Sequence, residues 1–369
     1  MPAHDALLGE ILRLAARDLD RYDFAREAAR VLRRAVPFDA IAGVWFDPET
    51  GLPVDEWIDN SLAGGPGSRL PEIGLDESDI TAFRHLAASG RPAASMSEAT
   101  GGSVDRSRRP RGMGDELRFV YLGDSGMWCG YVLYRERGAP DFAGREVNLI
   151  ASLNGRCPDL HRVRLQQDLP PNAGDVDPGL LLLDHQDGVE MATPAAAAWL
   201  DELRARRRRL PVVVSAVAER AREIASGDRG VEATARARTA SGRWLTVRGW
   251  VLQNGSEART AITLEPARPP ELAEFIAEAH GLTARERRVS RLVAQGLPNA
   301  AIASRLYLST YTVQDHLKAI FEKLDVSNRG QLVARLFLDP YQRSTRAPHR
   351  ADHTDDSQAG STARAWSKT

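Results

Sequence analysis

The sequence has almost no cysteine. Only Cys129 and Cys157 occur, with no CxxC spacing and no histidine cluster beside them. That excludes a disulfide framework and a zinc-binding pattern, and it fits reduced thiols in the cytosol. Long apolar runs are also missing. Those such as Leu180–Leu183 and Val212–Val214 are far too short to cross a bilayer. At the N-terminus Leu7, Leu8, Ile11 and Leu12 alternate with Glu10, Arg13 and Arg17, without the continuous apolar core of a signal peptide. The expected location is therefore the cytoplasm, with no membrane partner. Neither charge sign dominates: the formal net charge is −1, so charge has to be read locally.

Several chemical signatures are absent as well. There is no GxxxxGK[ST], which argues against an ATP-driven machine. Gly123-Asp-Ser-Gly126 lacks the second spacer of a G-x-S-x-G elbow. A phosphorylation-controlled receiver opens on a buried strand ending in paired aspartates, whereas this chain opens on a helical pattern. No nucleophile, base and acid converge, so the chain is expected to be no enzyme and to need no cofactor or metal.

What is present is a soluble, folded composition, 43% apolar and 27% charged, over 369 residues. That length is too great for one ordinary core and predicts two or three domains. Two breaks divide it. Residues 169–179, Leu-Pro-Pro-Asn-Ala-Gly-Asp-Val-Asp-Pro-Gly, are dense in residues that stop helices and strands. Pro266-Ala-Arg-Pro-Pro270 is expected to be a stiff, extended link. After Leu338 apolar periodicity disappears, and residues 341–369 read as a disordered tail in which Trp366 is incidental.

The first segment, 5–165, opens with two helical patterns. A strand over 39–46, a turn over 47–51 and a return strand over 52–58 follow. Residues 79–88 place Ile80, Phe83 and Leu86 on one helical face. Strands over 117–122 and 127–134 flank a hairpin turn, and a long helix from Phe142 to about Leu165 closes the unit. The second segment, 178–265, reads as strands over 179–184 and 189–192, helices over 194–203 and 212–225, then strands over 231–239, 243–252 and 260–265. The two segments share no fixed period. In element order the first resembles a GAF sensor domain and the second a PAS-like domain. Trp45, Trp57, Trp128 and Trp199 are read as core packing rather than a ligand pocket. The arginine runs at 204–209 and 106–111 are read as solvated helix end or loop.

From Leu282 the pattern sharpens. Thr283-Ala-Arg-Glu286 is a capping box, in which the threonine oxygen accepts a first-turn N–H and the glutamate reaches back. Val289, Leu292 and Val293 give that helix an apolar face, and Gly296 suits the left-handed residue after a helix end. A short helix over 299–306 turns Ile302, Ala303 and Leu306 inward. Tyr307-Leu308-Ser309 turns the chain, and Ser309 can cap a third helix running to Leu324. There Val313, Leu317, Ile320 and Leu324 form one stripe at 100° per residue, leaving Tyr311, Gln314, Asp315, Lys318, Ala319 and Glu322 opposite. A helix locked by one face and carrying hydrogen bonders on the other is what the major groove accepts. The final helix, 328–338, puts Leu332, Val333 and Leu336 on one side. Between 282 and 338 nine basic residues outnumber four acidic ones, a modest attraction for phosphate.

Leu282-Thr-x-Arg-Glu286, Gly296-Leu-Pro-Asn299, Ile302-Ala303, Leu306-x-Leu-Ser309, Thr312-Val313, His316, Ile320, Lys323-Leu324-x-Val326 and Asn328-Arg329 together resemble the C-terminal domain of LuxR/NarL-type regulators. The resemblance covers about 57 residues. It implies an all-α, four-helix helix-turn-helix domain over 278–340, with the third helix in the major groove and the fourth pairing two subunits. The DNA-facing set it implies is Asn299, Ser309, Thr310, Tyr311, Thr312, Gln314, Asp315, His316 and Lys318. Thr283, Glu286, Val313, Leu317 and Arg329 would be structural, with an ion pair between Glu286 and Arg329. Three positions depart from the family: Gln314 stands where lysine is usual, Ala301 where glutamate is common, and Asp315 puts a negative charge on the DNA side.

The resulting expectation is a multidomain chain of two α+β sensor domains and a helix-turn-helix domain. It would act as a sequence-specific DNA-binding transcription regulator, a homodimer on double-stranded DNA, responding to a small-molecule or protein signal. The rival is a protein-interaction module whose helix-turn-helix contacts RNA polymerase or another regulator instead of DNA.

Overall fold

The computed structural model describes residues 2–17, 19–59, 77–99, 113–123, 126–154, 177–203, 210–254 and 257–338. Both arginine runs, Cys157, the far end of the helix expected to reach Leu165, and the tail over 341–369 lie outside the described residues. The chain divides into two compact units. One comprises residues 1–169 with 273–333, the other 170–272 with 334–369.

In the first unit α1 (Pro2–Ala15) and α2 (Arg21–Ala35) come first. Asp20 caps α2, its carboxylate accepting the N–H groups of Tyr22 and Asp23, each at 2.8 Å. Ala25, Ala29 and Leu32 then recur at helical spacing and are buried. The strands β1 (Ala40–Phe46) and β2 (Pro53–Asp59) form a hairpin. Its turn is tied by the Asp47 carboxylate on Glu49 N–H, and Gly51 supplies the positive φ of +66° that closes it. There follow α3 (Glu77–Ser89), β3 (Ala93–Ser95), α4 (Met96–Ala99), β4 (Met113–Gly123), β5 (Gly126–Glu136) and α5 (Gly144–Asn154).

The sheet is antiparallel in the order β2-β1-β5-β4-β3. Strand β1 is nearly continuous in apolar residues because both its faces are covered. Ala40, Ala42, Val44 and Phe46 pack with Phe83 of α3, while Ile41, paired with Leu133, lies on the other face. Gly130 makes the α3 packing possible: a Cβ there would meet the Phe83 ring at 2.7 Å. Trp57, Trp128 and Trp199 are all buried, and Trp45 packs edge-on against Tyr22 at 5.5 Å.

The second unit contains β6 (Gly179–Leu183), β7 (Val189–Ala192), α6 (Pro194–Glu202), α7 (Val212–Ala225), β8 (Thr234–Arg238), β9 (Trp244–Asn254) and β10 (Glu257–Pro266). Its sheet, order β7-β6-β10-β9-β8, is antiparallel and repeats the topology of the first sheet with no repeat in sequence. Helix α7 lies on one face, where Val213, Val214 and Val217 meet a core of Leu181, Leu183, Leu245, Val247, Ile262 and Leu264, all fully buried. Thr193 caps α6, and Pro194 occupies its first turn.

Two expectations are corrected. The proline cluster is not an extended link: β10 runs through Pro266, and Pro269 and Pro270 open a helix, α8 (Pro269–Ala279). Proline costs nothing in a first turn, because its missing N–H has no acceptor there. Glu271 then accepts Arg268 N–H at 2.7 Å. The last helix is also not one α-helix over 328–338. A short α12 (Arg329–Val333) gives way to a π-helical turn over Ala334–Leu338. An apolar period alone does not distinguish the two hydrogen-bonding patterns, and Gly330 weakens the α segment.

Candidate nucleic-acid interface

Three helices and α12 form the helical region that ends the first unit: α9 (Ala284–Ala294), α10 (Asn299–Leu306) and α11 (Thr310–Leu324). The capping box closes as expected. Thr283 Oγ1 accepts Glu286 N–H at 3.3 Å, and Glu286 Oε2 accepts Thr283 N–H at 2.7 Å. Gly296 has φ +80°, which ends α9. Tyr307 is left-handed at φ 55° and almost wholly exposed, so the turn between α10 and α11 carries a strained, solvent-facing aromatic.

Ser309 caps α11. Its Oγ accepts Thr312 N–H at 3.0 Å. Val313, Leu317, Ile320 and Leu324 are the buried residues of that helix. On its outer side Thr310, Tyr311, Gln314, Asp315 and Lys318 are exposed, while Thr312 and His316 are half-buried at the flank. Asn299 is half-buried at the first turn of α10, and among the described residues its Oδ1 has no hydrogen-bond donor. The geometry thus gathers Thr310, Tyr311, Gln314, Asp315 and Lys318 on one surface at the start of a 15-residue helix. A helix N-terminus adds partial positive charge there. Asn299 is on a neighbouring helix, not on that face.

The suspected ion pair is corrected. Glu286 pairs with Lys323, whose Nζ lies 2.9 and 2.7 Å from its two carboxylate oxygens. Arg329 instead donates to the carbonyl of Leu297 at 2.7 Å. The physical reason is geometric: the last turn of α11 brings Lys323 onto α9, while Arg329 satisfies a carbonyl in the loop that follows α9. Arg285 plays a similar part at the end of α10, donating to Leu306 O at 2.7 Å. Burial raises the Glu286 pKa, but the Lys323 ammonium and the Thr283 backbone lower it by more, so its carboxyl sits below the usual range.

Reading by stripe and motif missed several residues. Arg305 is exposed in the last turn of α10. Glu274 and Phe275 belong to α8, which no periodicity argument anticipated. Glu274 pairs with Arg287 at 3.4 Å and Arg291 at 3.1 Å, and the Phe275 ring meets Trp128 of β5 edge-on at 5.2 Å. Only the alternation of Leu272, Phe275 and Ile276 could have signalled that helix.

Among the described residues no helix is long and apolar enough to cross a membrane, and no group of histidine, cysteine and acidic residues could hold a metal.

The class of this region follows from its fold and its sequence. Residues 280–336 match the family of bacterial regulatory proteins described as the luxR family, and they are a luxR-family helix-turn-helix domain. Over 63 residues the chain is 43% identical to the monoamine regulon transcriptional regulator of Klebsiella aerogenes, covering 17% of this chain and 28% of that protein. It is 42% identical over 67 residues to the transcriptional regulatory protein DesR of Bacillus subtilis, covering 18% and 34% respectively. The chain thus spans about a third or less of the length of these curated relatives. Among solved structures, a GAF domain/HD domain protein from Geobacter sulfurreducens aligns over 44% of this chain and 96% of its own, at 20% identity. Its TM-score is 0.28.

Proposed function

We propose that this chain is a sequence-specific DNA-binding transcription regulator acting in the cytoplasm, in which α11 enters the major groove. The observation that carries this reading is the split of α11: four core residues fill one side, and the other presents Thr310, Tyr311, Gln314, Asp315 and Lys318 to solvent. Gln314 pairs through its amide with adenine N6 and N7, and Asp315 accepts from cytosine N4. Lys318 meets phosphate or guanine. Ser309, Thr312, His316 and Asn299 border this face and hold phosphate or the turn. Thr283, Glu286, Val313, Leu317 and Arg329 keep the helices in register.

Residues 5–165 act as a GAF-like sensor and 178–265 as a PAS-like domain, with the DNA-binding domain over 278–340. Sensing is proposed because Trp128 of the first sheet rests on Phe275 of α8, and Glu274 of α8 holds two arginines of α9. A signal that shifts β5 therefore has a packed route to the helix-turn-helix. Enrichment of duplexes from a randomised pool by the full-length protein tests the function. A single shared motif supports it. Recovery of no motif, together with capture of RNA polymerase subunits by the same domain, favours the interaction-module reading instead.

A further inference from the structure

A cavity of about 290 Å³ lies wholly within the first unit. The β1–β2 turn and β5 wall it on one side, α8 and α9 on the other. Its floor is apolar, made by Pro48, Trp128, Phe275 and Ala284. Trp128 and Phe275 are 8% and 6% exposed, so both are core residues that keep one edge on the cavity. The rim is charged. Arg287, Arg288 and Arg291 recur with Ala284 at a spacing of three and four, which sets them on one face of α9. Glu49 and Glu274 stand with them.

These charges do not balance, because three guanidinium groups share the rim with two carboxylates. Glu274 serves two of the arginines, Arg287 at 3.4 Å and Arg291 at 3.1 Å. Arg287 is buried and also donates to the Leu282 carbonyl at 2.8 Å. Arg288 is exposed, and among the described residues it makes no hydrogen bond or ion pair. The Arg291 side chain is half-exposed and meets Glu274 through Nε.

We propose that this cavity binds a small aromatic carboxylate, with its ring on the apolar floor and its carboxylate between Arg288 and Arg291. Size limits the ligand first. The volume stands at the small end of ligand cavities, roughly 300–1,000 Å³, which admits one or two fused rings but no dinucleotide or lipid chain. Charge limits it next. A monoanion cancels the surplus, whereas a dianionic phosphate would leave a negative excess beside two carboxylates. Shape limits it last, because a planar carboxylate meets the guanidinium fork through two parallel bonds, and Trp128 and Phe275 offer flat apolar contact. The proposal rests on the sensor reading only for its consequence. A ligand touching both the first sheet and α9 favours one placement of α9, and it shifts DNA affinity by the factor by which DNA shifts the ligand's.

The test is calorimetric titration of the full-length protein with phenylacetate and indole-3-acetate, against phenylacetamide, acetate and inorganic phosphate. The two ring-bearing acids are expected to bind at one site per chain, and more tightly than the three controls. Arg288→Ala removes a charge-assisted bond and is expected to weaken them about tenfold. Ala284→Phe, at an exposed first-turn position, fills the floor and is expected to abolish binding with an unchanged circular dichroism spectrum. Arg30→Ala, an equal loss of charge on α2, is expected to change nothing. Failure of both acids to bind overturns the proposal. So does a control that binds as tightly as the acids, or binding that survives both cavity variants. Duplex affinity measured with and without phenylacetate separates the readings. If the acids bind as described but duplex affinity does not move, the sensor reading fails and the site stands. If a selected duplex is preferred while neither acid binds, the site fails and the DNA reading stands.

Discussion

At the residue scale, the proposed DNA-facing surface assigns affinity to Lys318 and specificity to Gln314. Lys318 is exposed on α11 with its charge toward the proposed duplex. If it meets phosphate, Lys318→Ala weakens binding to selected and random duplex alike and lowers the salt slope by about one contact. If it reads guanine, only the selected duplex suffers, by about 1–3 kcal/mol. Titrations on both duplexes distinguish these, and no change on either removes Lys318 from the interface. Gln314→Lys exchanges an amide that donates and accepts for a point charge that only donates. General affinity should rise and preference should blur at one base pair, so an identical selected motif for both proteins contradicts the assignment.

Glu286 makes a pH-dependent prediction. Its folded-state pKa is depressed, so the stability it contributes is present above the ordinary carboxylate range and is lost as pH falls through its folded value. In a fragment holding α8–α12, Glu286→Gln should cost about 1–3 kcal/mol at neutral pH. The variant and parent should converge in acid, and urea melts at the two pH values check this. A constant difference across pH would mean the carboxylate contributes shape rather than charge.

At the element scale, Thr283→Ala removes one half of the capping box and should lower the stability of the same fragment by about 1 kcal/mol. This box shows what the sequence makes legible. Caps and stripes are local, so Thr283 with Glu286, Ser309 with Thr312, and the Val313–Leu317–Ile320–Leu324 stripe are read from spacing alone and recur in the structure. Pairings across the chain are not local. Lys323 lies 37 positions from Glu286, and nothing in either neighbourhood announces that it, rather than Arg329, is the partner. Helix α8 was hidden for another reason: three prolines in five positions read as extended backbone, although two of them stand in the single helical turn that tolerates them. The strands were legible because β-branched and apolar runs were bounded by turns such as 47–51 and 240–242, but their shared topology in two unlike segments was not.

The route through α8 is also testable at this scale. Phe275→Ala removes the edge-on contact with Trp128. If the first sheet governs the helix-turn-helix through that contact, the variant changes DNA affinity in the full chain but not in a fragment lacking residues 1–267. Equal effects in both would make Phe275 a packing residue of the helical domain alone.

At the scale of the whole molecule, the account has two sheet-bearing segments setting the activity of one DNA-reading domain. A fragment lacking residues 1–267 keeps α8 whole, and it should fold and prefer the same motif as the full chain. It should bind more weakly to a two-half-site duplex, because it loses the effective concentration that a paired N-terminal region provides. A fragment as tight as the full chain would mean the larger part of the molecule neither pairs nor restrains the domain.

The most direct test of the central claim is the affinity of the full-length protein for a selected duplex and its scrambled counterpart, by fluorescence anisotropy over a series of salt concentrations. The account predicts tighter binding to the selected duplex at every salt, with both affinities falling linearly on a logarithmic salt scale. Equal affinity for the two sequences, or binding indifferent to salt, would contradict it.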